Sequence, residues 1–463
     1  MSLGRHLVRL LRARDAAGLP PDIEDKTRLH VADAIGIGLA ACVDLPVAAQ
    51  VLAAGLPTLS SGPCRVLGSD WRAPPPQAAF INAARIHALD FDDIHDIARL
   101  HPTVVTLPAA LAAADIAGAS GTVLLRGVSL GNELMCRLGE MWAPRGEGPG
   151  SDWFLSQLFG YFGAAFAAGI VLGMDEDAIV SALGLAYMQA AGGKQAAFGV
   201  GATARSIYPA FAAMGGVQAA LLARAGVTGP EQALDGPAGL FALYFQQMPD
   251  PARMTALLAP EGWAWRATQA KPWPSCRLSH PYLIAAQSVR AQLAGRRPDR
   301  VVAEVNASAA KLCHPLEARR QPTTLQDAKY SIPFMTAFML VHGRCDLGVL
   351  GADAFQDPAV RDLAARVDII ETLPDAPGHP PAVVHAEVDG VTLTGRFEGD
   401  LDLSPAALRA KFDACLTHAG IPADAAPLWN ALMNLSEQPA SLTNLPVISA
   451  TRPTIPSQEM HHV

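Results

Sequence analysis

Residues 87–108 read His-Ala-Leu-Asp-Phe-Asp-Asp-Ile-His-Asp-Ile-Ala-Arg-Leu-His-Pro-Thr-Val-Val-Thr-Leu-Pro, and the rest of the chain is arranged around them. The first fifteen of these residues hold four aspartates and three histidines, in a 463-residue chain that is 50% hydrophobic and only 17% charged. Helical patterns precede the stretch at residues 77–89 and follow it at residues 106–118. The stretch therefore predicts a polar turn between two helices that forms one wall of an active site.

The N-terminal part of the chain has the pattern of helices throughout. Apolar residues recur at helical spacing over five further segments, at residues 25–44, 122–138, 159–172, 176–191 and 211–225. Asp175 is suited to cap the fourth segment, and Pro108 is suited to the first turn of its helix. The fifth segment is so rich in alanine and glycine that neighbouring backbones can approach it closely. No segment before about residue 260 alternates with a period of two, which predicts an all-helical N-terminal part.

Segments rich in glycine or proline, at residues 143–152 and 192–201, predict a loop and a mobile linker. After residue 263 the pattern changes. Residues 300–306 and 365–371 alternate like strands, and residues 383–397 form two alternating arms around Asp389-Gly390, which is a strong hairpin signal. Helical patterns lie between them at residues 281–294 and 333–342.

Ser404 and Pro405 are typical of the start of a helix, which spans residues 404–416 and is expected to return to the helical part. We therefore predict a mainly α fold, in which a large all-helical domain carries a smaller inserted α+β lid domain. The all-helical domain comprises residues 1–262 and 404–450, the lid residues 263–403, and a frayed tail residues 451–463.

The overall composition excludes several classes of function. A formal net charge of -8 and the absence of any Lys/Arg run argue against a nucleic-acid partner, and an anionic substrate would need a local cluster of basic residues. The seven cysteines are scattered and form no Cys-x-x-Cys pair, which indicates reduced thiols. We found no signal-like run and no apolar segment long enough for a bilayer. These features predict a cytoplasmic protein without a membrane partner.

Three polar clusters are candidate parts of a site. Residues 87–101 suit proton transfer, because neighbours of opposite charge tune each pKa; the alternative is a helix end with capping aspartates. Residues 271–280 place Lys271, Arg277 and His280 at the predicted domain junction, where ligands commonly bind; the alternative is a linker with solvated charges. Arg205 is suited to a bidentate contact with a carboxylate; the alternative is an ordinary surface arginine.

A divalent metal is a further interpretation of the first cluster. Asp92, His95, Asp96 and His101 offer ligand atoms for such an ion. A site built on Asp92, His95 and Asp96 would make the protein a metal-dependent hydrolase.

In this order and separation, these stretches resemble the MmgE/PrpD family, which includes 2-methylcitrate dehydratases, cis-aconitate decarboxylases and iminodisuccinate epimerases. The resemblance covers nearly the whole chain, and the ordered set of motifs is specific where no single motif is. The motifs are Asp33-Ala-Ile-Gly-Ile-Gly-Leu-Ala, His87-Ala-Leu-Asp-Phe-Asp-Asp, His101-Pro, Gly216-Val-Gln-Ala-Ala-Leu-Leu-Ala, Gly226-Val-Thr-Gly-Pro, Lys271-Pro-Trp-Pro-Ser-Cys-Arg with His280, and Tyr330-Ser-Ile-Pro-Phe.

The resemblance implies a homodimer with an inserted lid and a cleft site that uses no metal or other cofactor. It places Asp90, His101 and His280 at positions that the family uses around the substrate. We expect His101 and His280 to act as base and acid, with Asp90 orienting or polarising one of them. The expected substrate-binding residues, for a small anionic di- or tricarboxylate, are Arg205, Lys271, Arg277, Asp93 and Tyr208.

Four positions depart from the family pattern. Ile94 replaces a threonine, Phe154 a histidine, Arg205 a lysine and Tyr208 a histidine. Arginine binds a carboxylate but does not release its proton near neutral pH, which argues against a specific assignment as decarboxylase or methylcitrate dehydratase.

The sequence therefore predicts a metal-independent lyase of the dehydratase type that abstracts a proton next to a carboxylate. Epimerisation of an iminodisuccinate-like dicarboxylate is the alternative. The metal-dependent hydrolase and a non-catalytic carboxylate binder are further alternatives.

Overall fold

The computed structural model describes residues 1–43, 45–55, 62–142, 151–198, 201–375, 381–399, 401–421 and 426–437. Most of the loop predicted at residues 143–152, part of the linker at residues 192–201, and the tail predicted at residues 451–463 lie outside the described residues. In the described part, no helix combines the length and the apolar character needed to cross a membrane.

The N-terminal part is helical, as predicted. Its helices are α1 (Leu3–Ala17), α2 (Pro21–Ala40), α3 (Pro46–Gly55), α4 (Pro75–Ala88), α5 (Thr103–Ala117), α6 (Gly121–Trp142), α7 (Leu155–Leu158), α8 (Gly160–Val171), α9 (Glu176–Tyr187), α10 (Gln195–Phe198), α11 (Tyr208–Arg224) and α12 (Pro251–Leu258). Helix α8 lies at the centre, and all twelve of its residues are buried. The predicted cap is confirmed, because the Asp175 side chain accepts a hydrogen bond from the amide of Ala178.

Small residues let the central helices approach closely, as the alanine- and glycine-rich pattern predicted. A Cβ atom added to Gly216 of α11 would lie 2.3 Å from the Cβ of Ala164 in α8. A Cβ added to Gly131 of α6 would lie 2.8 Å from the Cβ of Ala167, also in α8. Such contacts are much shorter than van der Waals separation, so both glycines are required for this packing.

The predicted start of α5 is wrong. The helix begins at Thr103, so Pro108 lies in its interior and not in its first turn. The physical reason is the Asp93 carboxylate, which accepts hydrogen bonds from the amide and the hydroxyl of Thr103. It thereby satisfies donors at the helix start that the sequence pattern leaves without a cap.

Three two-residue strands correct the prediction of an all-helical N-terminal part. Strands β1 (Cys64–Arg65) and β2 (Arg72–Ala73) pair antiparallel, and β3 (Ile94–His95) pairs antiparallel with β4 (Thr268–Gln269). Two residues are too few to show an alternating pattern, which is why the sequence did not predict them. The pairing of β3 with β4 fixes the stretch at residues 87–108 beside the segment that leads to Lys271.

The C-terminal part combines helices with one four-stranded sheet. Its helices are α13 (His280–Leu293), α14 (Ala307–Ala310), α15 (Leu316–Arg320), α16 (Leu325–Lys329), α17 (Ile332–His342) and α18 (Pro358–Ala364). Its strands are β5 (Arg300–Val305), β6 (Val367–Glu371), β7 (Ala382–Val388) and β8 (Val391–Phe397), in the spatial order β6-β5-β7-β8. Only β5 and β6 run parallel. The predicted hairpin is confirmed, with φ of 51° at Asp389 and 75° at Gly390.

Two further helices follow the sheet, α19 (Pro405–His418) and α20 (Ala426–Met433). The Ser404 hydroxyl caps α19 through the amide of Ala407, as predicted. Phe412 and Leu416 of α19 lie in the apolar core of the N-terminal helices, whereas the sheet has a separate core of its own. The mainly α fold with a smaller α+β part is therefore confirmed, and the domain boundaries at residues 262/263 and 403/404 stay predictions.

Candidate active site

A cleft of about 170 Å³ lies where the N-terminal and C-terminal parts meet. The N-terminal part contributes mostly charged and aromatic residues, namely Asp90, Asp96, Arg99, His101, Phe154, Lys194, Arg205 and Tyr208, together with the apolar Ile94 and Ala197. The C-terminal part contributes Lys271, Cys276, Arg277, Leu278, Ser308, Lys311, Leu312 and Tyr330. All three polar clusters predicted from the sequence thus supply residues to one cavity.

The cleft is positively charged although the chain as a whole is acidic. Six basic side chains line it, against two carboxylates; the basic ones are Arg99, Lys194, Arg205, Lys271, Arg277 and Lys311. The local cluster of basic residues that an anionic substrate needs is therefore present.

Asp90 and Lys271 form a buried ion pair at the cleft wall. The Lys271 ammonium lies 2.6 Å from Asp90 Oδ1 and 2.9 Å from the Asp90 carbonyl oxygen. Burial raises the pKa of the Asp90 carboxyl, but the charges of Lys271, His87 and His101 outweigh it, so this pKa lies below its ordinary value. Asp90 Oδ2 is buried and has no hydrogen-bond partner among the described residues. Asp90 is thus an ionised carboxylate whose Oδ1 is bound by Lys271 and whose Oδ2 is enclosed in the wall of the cleft.

His101 is held with one ring nitrogen bound inside the protein. Its Nδ1 lies 2.7 Å from the carbonyl oxygen of Asp93 and 3.3 Å from Asp92 Oδ2. Both oxygens only accept, so Nδ1 carries the hydrogen and donates it. In the neutral imidazole the bare nitrogen is then Nε2, on a residue that lines the cleft. This tautomer is the one that a general base requires.

His87, Asp92 and His101 form the one grouping within the described residues whose ligand atoms lie close enough to hold a metal ion. The Asp92 carboxylate accepts from His87 Nδ1 at 3.0 Å to both oxygens, and from His101 Nδ1. These contacts hold the pKa of Asp92 well below its ordinary value despite its burial. Because both Nδ1 atoms contact Asp92, the cluster forms a hydrogen-bond network that orients His101.

The predicted hydrolase residues do not converge. Asp92 binds the two histidines described above, whereas His95 Nε2 lies 2.9 Å from both the Ala264 carbonyl oxygen and the Glu140 carboxylate. Asp96 instead receives a bidentate contact from Arg277, at 3.1 and 3.0 Å. The three side chains therefore face different partners.

The three predicted carboxylate-binding cations differ in whether each is already paired with a carboxylate of the protein. Lys271 is paired with Asp90, and Arg277 with Asp96. The Arg205 guanidinium instead lies over the Tyr330 ring, with 3.3 Å between Cζ and the ring centroid. One of its nitrogens contacts the Ala197 carbonyl oxygen at 3.4 Å, and Arg205 forms no ion pair within the described residues. Among the three predicted cations, Arg205 is the best placed to receive a carboxylate.

Sequence reasoning missed three basic residues of the cleft, Arg99, Lys194 and Lys311. Burial lowers the pKa of Lys194 to about 8, and the charges of Arg205, Lys311 and Arg99 add to the effect. Cations that depress one another in this way are stabilised by an anion that binds between them. The only sequence signal was the position of Lys194 directly after Gly192-Gly193, inside a segment predicted as a linker.

His280 does not line the cleft. Its side chain is completely buried, Nε2 donates to the Ser275 carbonyl oxygen at 3.2 Å, and the ring packs edge-on against Trp273. Burial, followed by the charges of Arg277 and Lys271, holds the pKa of His280 well below its ordinary value. The imidazole is therefore neutral at neutral pH and lies behind the cleft wall.

Of the two remaining predicted binding residues, Tyr208 has its side chain in the cleft and Asp93 does not. The Asp93 carboxylate faces away from the cleft towards His30 and Thr103, and only its carbonyl oxygen serves the site, through His101. Tyr208 lines the cleft, donates to the Ser156 hydroxyl at 3.2 Å and stacks on Phe154 with 4.1 Å between ring centroids. Burial raises the pKa of Tyr208, so its phenol stays protonated.

Three of the departures noted in the sequence, Ile94, Phe154 and Tyr208, line the same cleft. They add apolar and aromatic surface to the lining of the cleft. This surface suits the hydrocarbon portion of an organic anion better than a small inorganic one.

Comparison with known proteins gives two family matches and several relatives. The MmgE/PrpD N-terminal domain matches residues 5–252, and the MmgE/PrpD C-terminal domain matches residues 273–431. The cis-aconitate decarboxylase-like protein oryM of Aspergillus oryzae is 28% identical over 386 residues, which is 78% of each chain. The cis-aconitate decarboxylase of Aspergillus terreus is 26% identical over 75% of this chain and 74% of its own. The human cis-aconitate decarboxylase is 27% identical over 71% and 69%.

Proposed function

Because this chain belongs to the MmgE/PrpD family, we propose that it is a metal-independent lyase acting on a small di- or tricarboxylate. It abstracts a proton from the carbon next to a carboxylate and eliminates a group from the neighbouring carbon. The observation that carries this proposal is the His101 imidazole, which donates Nδ1–H to the Asp93 carbonyl oxygen and presents a bare Nε2 in a cleft lined by basic residues.

The basic residues bind the substrate and make its C–H bond more acidic. Arg205, Arg99 and Lys194 hold the carboxylates, because Lys271 and Arg277 already neutralise Asp90 and Asp96. Negative charge moves onto the carboxylate as the proton leaves, so cations fixed beside it stabilise the enolate-like transition state. Removing one such group commonly costs about 10²- to 10³-fold in kcat.

His101 Nε2 takes the proton, which leaves an imidazolium. The ionised Asp90 stabilises this cation through its charge. If a hydroxyl sits on the neighbouring carbon, it leaves with a proton as water and a carbon–carbon double bond forms.

We assign the proton that the leaving group receives to the Lys194 ammonium, and not to His280 as the sequence suggested. Lys194 lines the cleft and its pKa is about 8, which suits proton transfer near neutral pH. His280 is buried behind the wall, and its low pKa keeps the imidazole neutral, so no imidazolium is present to donate a proton. Its role in this proposal is to fix the Lys271–Arg277 segment through Ser275.

Epimerisation is the second candidate. It needs two proton-carrying groups at one carbon, and His101 and Lys194 both line the cleft. Arg205, which replaces the lysine of the lyase-like members, does not exchange its proton and leaves these two groups as the available pair. Decarboxylation, named for the relatives, would use the same cations to hold the carboxylates that stay.

Two further expectations belong to the same proposal. The protein acts as a homodimer, which light scattering would show as twice the 48.5 kDa mass of the chain. It acts in the cytoplasm, which cell fractionation tests, and it binds neither nucleic acid nor membrane.

The proposal is tested by proton NMR of a panel of di- and tricarboxylates with the full chain in D2O. Elimination of water gives a vinyl signal without release of carbon dioxide, decarboxylation gives both, and epimerisation gives only exchange and a diastereomer. The His385→Gln variant serves as the control for non-specific loss, since His385 is half-buried and binds Glu304 on the sheet, outside the cleft. Binding of carboxylates without any spectral change over the panel would instead support a non-catalytic binder.

A further inference from the structure

Three lysine side chains hold three successive main-chain carbonyl groups at the cleft wall. The Lys329 ammonium lies 3.0 Å from the Leu89 oxygen, that of Lys271 lies 2.9 Å from the Asp90 oxygen, and that of Lys411 lies 2.8 Å from the Phe91 oxygen. We call these three side chains the lysine clamp. Their exposed fractions are 0% for Lys271, 1% for Lys329 and 8% for Lys411.

The clamp closes on a segment with a strained backbone. Asp90 has a φ of 53°, in the left-handed region that residues with a Cβ atom seldom adopt. Such conformations persist only where the surroundings hold them, and they are common at functional sites. Glycine would relieve the strain, but only aspartate provides the carboxylate that lines the cleft.

Packing alone does not explain the clamp. A buried ammonium is less favourable than an apolar side chain of similar size unless it is paired. Lys271 and Lys411 are paired, with Asp90 and Asp33. Lys329 has no carboxylate partner among the described residues, and burial lowers its pKa to about 8. In the described part of the chain, the Lys329 ammonium donates one hydrogen bond, to the Leu89 carbonyl oxygen. This contact is the interaction that explains why the ammonium is buried at this position.

We infer that Lys329 and Lys411 are positioning residues that act through Asp90, by fixing the carbonyl groups on either side of it. This inference rests on the function proposed for Asp90. Lys329 and Lys271 hold the Leu89 and Asp90 carbonyl groups, which belong to the two peptide planes that flank Asp90. Lys411 holds the Phe91 carbonyl group of the next plane, so together the three lysines fix the backbone from which the Asp90 carboxylate points. Lys271 completes the clamp and also contacts the carboxylate directly.

The clamp couples distant parts of the chain to the site. Lys329 is the last residue of α16 in the C-terminal part, and Lys411 belongs to α19, which packs against α2 of the N-terminal part. The direction of the Asp90 carboxylate therefore depends on the seating of both segments. A loosened C-terminal part would disturb Asp90 without any change in the residues that contact substrate.

The test compares Lys329→Met, which removes the donor, with Lys329→Gln, which keeps an N–H group. Val384→Ala is the matched control, because it creates a cavity in the same C-terminal core, on strand β7, without removing a donor to residues 89–91. Hydrogen–deuterium exchange of the peptide covering residues 87–95 is measured in the full chain. We expect exchange about tenfold faster in Lys329→Met, and little change in Lys329→Gln or Val384→Ala. Equal exchange in Lys329→Met and Val384→Ala would overturn the inference.

The second readout is the split between kcat and KM. A displaced Asp90 should lower kcat about tenfold and change KM less than about twofold, with partial recovery in Lys329→Gln. Faster exchange with an unchanged kcat would show that Lys329 is only structural. If the wild-type protein turns over no carboxylate but the exchange result holds, the proposed function fails and the clamp stands. Lys411→Met replaces Lys329→Met should the latter not fold, with Lys411→Gln as the variant that keeps an N–H group.

Discussion

The guanidinium of Arg205 lies 3.3 Å from the centre of the Tyr330 ring, and this contact joins the two walls of the cleft. Arg205 comes from the N-terminal part, directly before α11, and Tyr330 follows α16 in the C-terminal part. The ring holds the cation in place without neutralising it. A carboxylate that enters the cleft therefore meets a cation that is already positioned.

Replacing Arg205 should weaken substrate binding in addition to slowing the chemical step. We expect Arg205→Met to raise KM about 10- to 100-fold, because a bidentate charge-assisted contact is lost. Arg205→Lys should recover part of the loss but not all of it, since lysine lacks the planar fork. Arg224→Met, at an exposed position outside the cleft, is the control for the loss of one positive charge. Steady-state kinetics measure the effect, and equal KM values in all variants would remove Arg205 from binding.

Lys194 should set the alkaline limit of activity. Its pKa is about 8 in the free protein, so the ammonium is lost as the pH rises through that value. The profile of kcat/KM should therefore fall above about pH 8, whereas a bound anion favours the ammonium and moves the fall of kcat to higher pH.

Lys194→Arg distinguishes a binding role of Lys194 from proton transfer. Arginine keeps the charge and does not titrate, so the alkaline fall should disappear. If Lys194 donates the proton, kcat should also drop by about 10²-fold or more. A fully active Lys194→Arg enzyme would limit Lys194 to binding, and an unchanged pH profile would contradict its participation.

Replacing one member of the Asp90–Lys271 ion pair should lower the free energy of unfolding more than replacing both members. Asp90→Asn leaves a buried ammonium without its counter-ion, and we expect it to lower the free energy of unfolding by about 3–5 kcal/mol. Lys271→Met should have a similar effect, and the double variant should be more stable than either single variant. Urea denaturation measures this, and strictly additive losses would show that the two side chains do not interact.

The same pair predicts the direction of a pH effect. The folded pKa of Asp90 lies below its ordinary value of 3.8, so the unfolded chain binds the proton more readily. The stabilisation is present above pH 3.8 and is lost as the pH falls towards the folded pKa. Asp90→Asn should therefore show a weaker loss of stability on acidification than the wild-type protein.

Removal of metal ions should leave activity unchanged. The proposed reaction uses the His101 imidazole as its base and routes no step through a metal, so the loss of a metal ion should not change its rate. Treatment with a chelator followed by elemental analysis tests this. A stoichiometric metal whose loss abolishes activity would restore the hydrolase alternative.

The sequence predicted the helical and mixed parts because long elements carry periodic patterns. It did not predict β3 and β4, since two-residue strands have no measurable period, nor the start of α5, which depends on Asp93 from a preceding turn. The hairpin at Asp389-Gly390 was predictable because its turn chemistry is local.

The site was predictable only in so far as its residues cluster along the chain. Asp90, His101, Arg205, Lys271, Arg277 and Tyr208 all line the cleft as expected. Lys194 and Lys311 are brought there by folding from segments with no distinctive pattern, and Arg99 lies within the first polar cluster but was not singled out from it. The Asp93 carboxylate is buried and points away from the cleft because it contacts His30. The buried position of His280 follows from its hydrogen bond to Ser275, and no spacing in the sequence reveals either contact.

The most direct test of the account is the rate at which His101→Gln exchanges the α-hydrogen of a turned-over carboxylate with D2O. Glutamine cannot take the proton, so we expect exchange to fall about 10²- to 10⁴-fold while ligand affinity stays within a few-fold. His385→Gln should exchange at the wild-type rate, and His280→Gln should lose much less than His101→Gln. Undiminished exchange in His101→Gln would contradict the proposal that Nε2 of His101 is the base.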